Sequence, residues 1–176
     1  MDTRWKPSTT VAAIIERDGR FMLVEEHTSV GLQLNNPAGH LDPGESLVDA
    51  CAREALEETA HLFTPTALVG VYLSRFQRPA TADPAVAADA AHGSPADVED
   101  ITYMRFAFCG QLGEQQLNRA LDTGIVRTLW LTPDEVRASA ARHRSPLLVR
   151  CMEDYLAGQR FPLELLSTDS SVLRLT

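Results

Sequence analysis

The segment that most constrains the fold is residues 39–61, which read GHLDPGESLVDACAREALEETAH. A D-P-G turn precedes Ser46, and Ser46 with Asp49 has the form of a capping box, so we predict a helix over about 46–60. Small or apolar side chains fall on one side of this helix: Val48, Cys51, Ala52, Ala55 and Thr59. They would let the helix lie close against a sheet.

The opposite flank of the same helix is acidic. Glu54, Glu57 and Glu58 follow one another at spacing i, i+3, i+4, and Arg53 stands four residues before Glu57, where the two can pair. Three carboxylates within about 6 Å of helix repel one another, and one arginine offsets only part of that repulsion. A hard divalent cation such as Mg²⁺ or Mn²⁺ prefers oxygen ligands and would relieve it. A solvated acidic helix face is the structural alternative.

The residues just before the helix favour the metal site. Gly39 and Gly44 frame a tight loop that can bring a backbone carbonyl toward the carboxylates. Glu45 lies where its side chain can reach back to Arg53.

This pattern resembles the Nudix box, the signature of Nudix hydrolases: Gly39, five residues, Glu45, seven residues, then Arg53-Glu54-x-x-Glu57-Glu58. The resemblance implies that water attacks phosphorus and cleaves a phosphoanhydride, with Mg²⁺ (or Mn²⁺) as cofactor. It implies metal binding by the Gly39 carbonyl, Glu57 and Glu58, whereas Glu54 is either a ligand or the base. Arg53 would orient Glu57, and Glu45 would hold Arg53; the catalytic set is Glu54, Arg53 and Glu57.

The chain departs from the family pattern at two positions. The glycine expected after the glutamates is Ala60, and the aliphatic residue after it is His61. Because a left-handed helix end costs alanine on the order of 1 kcal/mol, we expect the end of this helix to differ and local stability to be affected.

The remaining pattern predicts a hairpin of strands 9–16 and 21–25 around an Asp-Gly turn, and helices starting at Thr132 and over 145–157. Further strands are predicted at 67–74, 101–111 and 125–131. Such an order indicates a mixed β-sheet between helices, and the resemblance makes this an α+β (α/β/α sandwich) Nudix fold. We expect one domain over 1–176, with a low-complexity loop insert at about 79–98.

Composition limits the partners. Sixteen basic and 24 acidic side chains give a net charge of -8, which argues against a nucleic acid polymer or an anionic membrane as partner. Cys51, Cys109 and Cys151 have neither zinc spacing nor a disulfide framework, and no apolar run approaches the ~18 residues of a membrane span. We expect a cytoplasmic protein with a small-molecule nucleotide or pyrophosphate as substrate. We expect a monomer, with a dimer as the alternative.

The resemblance extends over most of the chain to the NudJ-type bacterial phosphatases, through Trp5-Lys6-Pro7, residues 36–41, Tyr103-Met104-Arg105-Phe106 and residues 144–164. It implies hydrolysis of nucleoside tri- and diphosphates and of a thiamine-precursor pyrimidine pyrophosphate. Two alternatives stay open: an ADP-ribose or dinucleotide-type pyrophosphohydrolase, and a Nudix domain that binds nucleotide without hydrolysis.

Weaker candidates for substrate binding lie outside the box. Lys6 and Arg105 could meet phosphates from strand positions, His40 follows the box glycine, and Asp122 or Glu114 could supply a further acid from a loop. For each of these residues a solvated surface position is the alternative. Three aromatic residues could stack on a base or belong to the core: Trp5, Phe76 and Tyr103. Arg144-Ser145-Pro146 most simply caps the last helix, with a role near the substrate as the alternative. Cys51 is interpreted as a small core residue rather than a nucleophile.

Overall fold

The computed structural model describes residues 4–79 and 98–173. Its strands are β1 (Ser8–Ile14), β2 (Glu16–Arg17), β3 (Arg20–Thr28), β4 (Gly31–Asn35), β5 (Ala38–His40), β6 (His61–Pro79), β7 (Val98–Gln115) and β8 (Ile125–Leu131). Its helices are α1 (Leu47–Thr59), α2 (Pro133–Ala138) and α3 (Leu147–Leu156), with 3₁₀ turns at Ala140–Arg142 and Leu163–Leu165. The predicted insert at about 79–98 lies, except for its two ends, outside the described residues. Within the described ranges no helix is long and apolar enough to cross a membrane.

A four-stranded mixed sheet in the order β5-β1-β7-β6 forms the centre of the molecule. Strand β1 runs parallel to β7 and antiparallel to β5. Alternate residues of β1 point to opposite faces: Val11 and Ala13 pack in one core cluster with residues of α1, and Ala12 and Ile14 pack in the other with residues of α3. The sheet therefore lies between helices, and the predicted α+β fold class is confirmed.

A second four-stranded sheet, which the sequence pattern did not separate from the first, is formed by β2, β3, β4 and β8. The predicted first strand splits at Ile15, so β1 belongs to one sheet and β2 to the other. Asp18 and Gly19 both have positive φ, at 53° and 75°, which is the type I′ turn expected of an Asp-Gly hairpin.

The other predicted elements are present with different limits. Strands β6 and β7 extend far beyond the predicted 67–74 and 101–111 and pair antiparallel over almost their whole length. Helix α2 begins at Thr132 as predicted, and Thr132 forms a capping box with Glu135. Gly158 follows the end of α3 with φ at 82°.

Helix α1 begins as the sequence predicts, because the Ser46 hydroxyl accepts a hydrogen bond of 3.1 Å from the Asp49 backbone N–H. Its end was expected to differ from a glycine-terminated helix, and that expectation is wrong. Ala60 adopts the left-handed conformation itself, with φ 57° and ψ 18°, and its N–H donates to the Leu56 carbonyl. The helix thus ends as a glycine would end it, with the strain of a Cβ retained.

The face that α1 buries also differs from the predicted one. Ala50 packs against the sheet, whereas Ala52, which was predicted there, is partly exposed. Glu54 and Glu58 are buried rather than on a solvated flank. Small residues still allow close packing, since Ala50, Cys51 and Ala55 are fully buried. This orientation of α1 places the carboxylates of Glu54 and Glu58 against the edge of the sheet.

We predict that Ala60→Gly stabilises the protein by about 0.5–1 kcal/mol, because glycine adopts positive φ without a Cβ penalty. Chemical denaturation with urea measures the difference. The control is Ala52→Gly in the middle of α1, where the same change should destabilise by about 1 kcal/mol. Destabilisation by Ala60→Gly would show instead that packing of the buried Ala60 methyl outweighs the backbone strain.

Candidate active site

An open cleft of about 1150 Å³ lies where α1 meets the edge strand β5 and the ends of β6 and β7. Its walls come from both sheets, from α1 and from the segment that precedes α3. Polar and charged side chains dominate the lining, among them Thr10, Glu26, Asn35, Arg53, Glu54, Glu57, Glu58, Arg105, Asp122 and Arg144. The cleft can therefore receive a polar, charged small molecule.

Arg53 is the centre of an ion-pair network on one wall. Its Nε and Nη2 donate to the two carboxylate oxygens of Glu45, at 3.0 and 2.7 Å. Its Nη1 donates to Glu54 at 2.7 Å and to Glu57 at 3.0 Å, and Nη2 also donates to the His40 carbonyl at 2.9 Å. One guanidinium thus fixes the loop before α1 and two carboxylates of α1 in one arrangement.

Gly39 is required by the close approach of the β5 backbone to Glu54. A Cβ at position 39 would lie 2.1 Å from the Glu54 carboxylate, so the Glu54 side chain, which Arg53 holds, would have to move. Strand pairing fixes the position of Gly39, because it stands opposite Val11 in the β1–β5 ladder. The box glycine therefore lets backbone and carboxylate share one small volume.

Glu58 and Glu54 are both buried, at 9% and 8% exposure. Burial raises the pKa of Glu58 to about 8, although its Oε2 accepts a 2.8 Å hydrogen bond from the Ala38 N–H. Burial also raises the pKa of Glu54, against the effect of Arg53. Repulsion from Glu54, Glu26 and Asp122 adds to the shift at Glu58, so acids from three different segments meet here.

Gly39, Glu54, Glu57 and Glu58 line the same cleft, and carboxylate and backbone oxygens are donors that suit a hard cation. Among residues 4–79 and 98–173, however, no three His, Cys, Asp or Glu side chains are already arranged as a metal-binding group. Arg53 holds one oxygen each of Glu54 and Glu57, and the Ala38 N–H holds one of Glu58. A cation would therefore use the remaining oxygens or displace these contacts.

The weaker candidates divide into two groups. Arg105, His40 and Asp122 line the cleft. The Asp122 N–H donates to the Glu57 carbonyl at 3.0 Å, and the His40 ring lies 6.2 Å from that of Tyr103. Lys6 does not line the cleft; it is exposed and precedes β1, so the strand position predicted for it is wrong.

The remaining candidates are Glu114, three aromatic residues and Cys51, and they differ in burial and in whether they line the cleft. Glu114 is exposed near the end of β7 and does not line the cleft, and Trp5 is 68% exposed rather than in the core. Phe76 and Tyr103 do line the cleft. Cys51 is fully buried, and burial raises the pKa of its thiol, which agrees with a core residue.

Glu26 is a cleft residue that the sequence analysis missed. It is 8% exposed at the end of β3 and forms an ion pair with Arg144, which was expected most simply to cap the last helix. The only signal in the sequence is two glutamates that continue an apolar strand, Glu25 and Glu26. Glu25 is held by Arg127 and Arg142, and its bond to Arg127 contributes most to lowering its pKa.

Comparison with known proteins agrees with this geometry. A model of the NUDIX domain matches residues 5–151. The chain is 30% identical over 162 residues to the phosphatase NudJ of Escherichia coli K12, with 92% of each chain covered. A solved NUDIX hydrolase from Nitrosomonas europaea is 45% identical with a TM-score of 0.78, covering 93% of this chain and 98% of its own.

A more distant structure, an ADP-ribose pyrophosphatase from Streptococcus suis, shares the fold at 15% identity, with a TM-score of 0.55 over 89% of this chain and 96% of its own. Domain match, close relatives and the Arg53-centred carboxylate site all agree. The chain belongs to the Nudix family and is a Nudix hydrolase.

Proposed function

We propose that this hydrolase cleaves phosphoanhydride bonds in nucleoside tri- and diphosphates or related pyrophosphates, including a thiamine-precursor pyrimidine pyrophosphate, by attack of water on phosphorus. The observation that carries the proposal is the network in which Arg53 holds Glu45, Glu54 and Glu57 beside the Gly39 backbone. Similarity to the phosphatase NudJ over 92% of both chains supports the substrate class.

The cofactor of the proposal is Mg²⁺ (or Mn²⁺), held by the Gly39 carbonyl, Glu57, Glu58 and Glu54. A bound cation would neutralise phosphate charge and lower the pKa of a coordinated water. A chain of net charge -8 needs such neutralisation, because its own acidic cleft would otherwise repel a polyphosphate.

The protein's own groups have separate roles in this proposal. Arg53 orients Glu57 and Glu54, and Glu45 keeps the guanidinium in place through two hydrogen bonds. Glu54 is a metal ligand or the base that accepts the proton of the attacking water. Burial raises its pKa in the metal-free protein, as it does for Glu58. His40 and Asp122 line the cleft and would meet substrate.

The alternative is an ADP-ribose or dinucleotide-type pyrophosphohydrolase. The S. suis enzyme shares the fold of this chain, but an identity of 15% gives no information on the substrate. A non-catalytic nucleotide-binding domain is a weaker alternative, since Glu54, Glu57 and Glu58 are all present. A single domain over 1–176, a cytoplasmic location and a monomeric state remain predictions.

We predict that Glu57→Gln lowers kcat by at least about a hundredfold with little change in fold, because it removes a charged oxygen from the proposed cation site. Release of orthophosphate or pyrophosphate is measured with Mg²⁺ on nucleoside di- and triphosphates and on the thiamine-precursor pyrophosphate. Formation of AMP and ribose 5-phosphate is measured on ADP-ribose. Glu114→Gln, which changes an exposed carboxylate outside the cleft, is the matched control and should retain full activity.

The products decide between the candidate functions. Phosphate or pyrophosphate release from the first substrates supports the phosphatase, and turnover of ADP-ribose alone supports the alternative. Binding of nucleotide without turnover of any substrate would contradict hydrolysis by this site.

A second prediction concerns Glu58 and pH in the metal-free protein. The folded-state pKa of Glu58 is about 8 and lies above the ordinary value of 4.5, so the proton is bound more tightly in the folded state. The stability that this proton supplies is fully present below about pH 4.5 and is lost as pH rises through 8. Glu58→Gln removes this dependence. Its free energy of unfolding relative to wild type should therefore rise between pH 5 and 8, by up to about 1.4 kcal/mol per unit.

Urea denaturation in EDTA at several pH values measures this difference, in which groups common to both proteins cancel. Saturating Mg²⁺ at pH 8 should raise the melting temperature of wild type and have less effect on Glu58→Gln. Parallel pH curves for the two proteins would contradict the burial argument. An equal effect of Mg²⁺ on both would contradict the role of Glu58 as a ligand.

A further inference from the structure

Arg105 is a buried cation without a bonding partner in the cleft wall. It is 8% exposed, and its Nε and Nη1 have no hydrogen-bond partner among the described residues. Burial lowers the pKa of its guanidinium, but arginine keeps its charge in proteins. Leaving such a group unpaired costs several kcal/mol of solvation, so a purely structural role does not account for it.

Thr10 is a second unpartnered group beside it. Thr10 stands opposite Arg105 in the parallel β1–β7 ladder and is 6% exposed. Its Oγ1 has no hydrogen-bond partner in the part of the chain that the structure describes. The two residues lie two positions before Ala12 and Ala107, which pack in the cluster that includes α3, so both side chains are on this same face of the sheet. Adjacent strands are about 4.8 Å apart, a spacing over which one small anion can contact both side chains.

Arg105 and Thr10 lie close to the carboxylate site but are not part of it. The charges that act on Arg105 include those of Glu58, Glu26 and Arg144, and Arg144 is paired with Glu26. Ser145 and Pro146, at the start of α3, line the same cleft, and a helix N-terminus favours a nearby anion. The missing partner is therefore an acceptor that arrives with the ligand.

We propose that Arg105 and Thr10 form a subsite for the terminal, singly substituted phosphate of the substrate, next to the carboxylates that would hold the cation. This inference rests on the proposed function. A guanidinium presents two parallel N–H donors that match two phosphate oxygens, with the Thr10 hydroxyl as a third donor. Both side chains are more than nine-tenths buried, so a narrow group is best suited to reach them. A terminal phosphate is such a group, whereas an internal phosphate carries a substituent on each side.

The subsite selects between the two candidate substrate classes. Nucleoside diphosphates and triphosphates, like the pyrimidine pyrophosphate, end in a free phosphate. ADP-ribose contains the same adenosine and two phosphates as ADP, but its outer phosphate is esterified to a second ribose. The capped molecule cannot place three free oxygens on Arg105 and Thr10, so we expect it to bind more weakly.

Calorimetry with Mg²⁺ and the α,β-methylene analogues of ADP and ADP-ribose tests the subsite, because neither probe is hydrolysed. Wild type should bind the ADP analogue at least about tenfold more tightly than the ADP-ribose analogue. Arg105→Met should weaken the ADP analogue by about tenfold to a hundredfold and the other by less than about threefold. Thr10→Val, which keeps the shape, should cause a smaller loss in the same direction.

Arg75→Met is the matched control. Arg75 also lines the cleft, but it is exposed and paired with Asp100, so its removal should leave the preference unchanged. Stability provides an independent measurement. Arg105→Met removes an unpaired buried charge and should melt at the wild-type temperature or above, whereas loss of a structural arginine would lower it.

Equal weakening of both analogues by Arg105→Met would overturn the proposal, as would a wild type that does not prefer the ADP analogue. A lowered melting temperature with unchanged affinity would also overturn it and make Arg105 structural. If the preference is present but no substrate is hydrolysed, the subsite is retained and the proposed hydrolysis is rejected instead.

Discussion

The arrangement of the cleft depends on the Arg53 guanidinium. It joins the loop before α1, through Glu45 and the His40 carbonyl, to Glu54 and Glu57 on the helix. The hydrogen bond to Glu45 contributes most to raising the pKa of Arg53, so the charge is permanent. Without this cation the carboxylates would repel one another, and the Gly39 backbone would have no fixed neighbour.

Burial of charged and polar groups in this cleft changes their chemical properties and lowers the stability of the folded protein. It raises the pKa of Glu58 and Glu54, and among the described residues it leaves Arg105 Nε and Nη1 and Thr10 Oγ1 without hydrogen-bond partners. Each of these groups would be better solvated in water. In the proposed function, the carboxylates would bind a cation, and Arg105 with Thr10 would bind a phosphate.

The two-sheet architecture explains how distant segments meet. Pairing of β1 with both β5 and β7 sets Gly39 on one side of β1 and Arg105 on the other. The second sheet brings Glu26 to the same cleft, where Arg144 from the segment before α3 pairs with it. Four segments of the chain contribute because strand pairing and tertiary packing, not sequence proximity, determine their positions.

The sequence alone determined the local features: the start of α1 at Ser46, the Asp-Gly hairpin and the spacing that brings Arg53, Glu54 and Glu57 together. These depend on contacts a few residues apart, where helix and turn geometry are fixed. Only the tertiary structure decided which face of α1 is buried, that Ala60 accepts a left-handed conformation, and that Glu26 and Arg144 pair while Lys6 lies elsewhere. These outcomes depend on long-range packing, whose energy a local pattern does not contain.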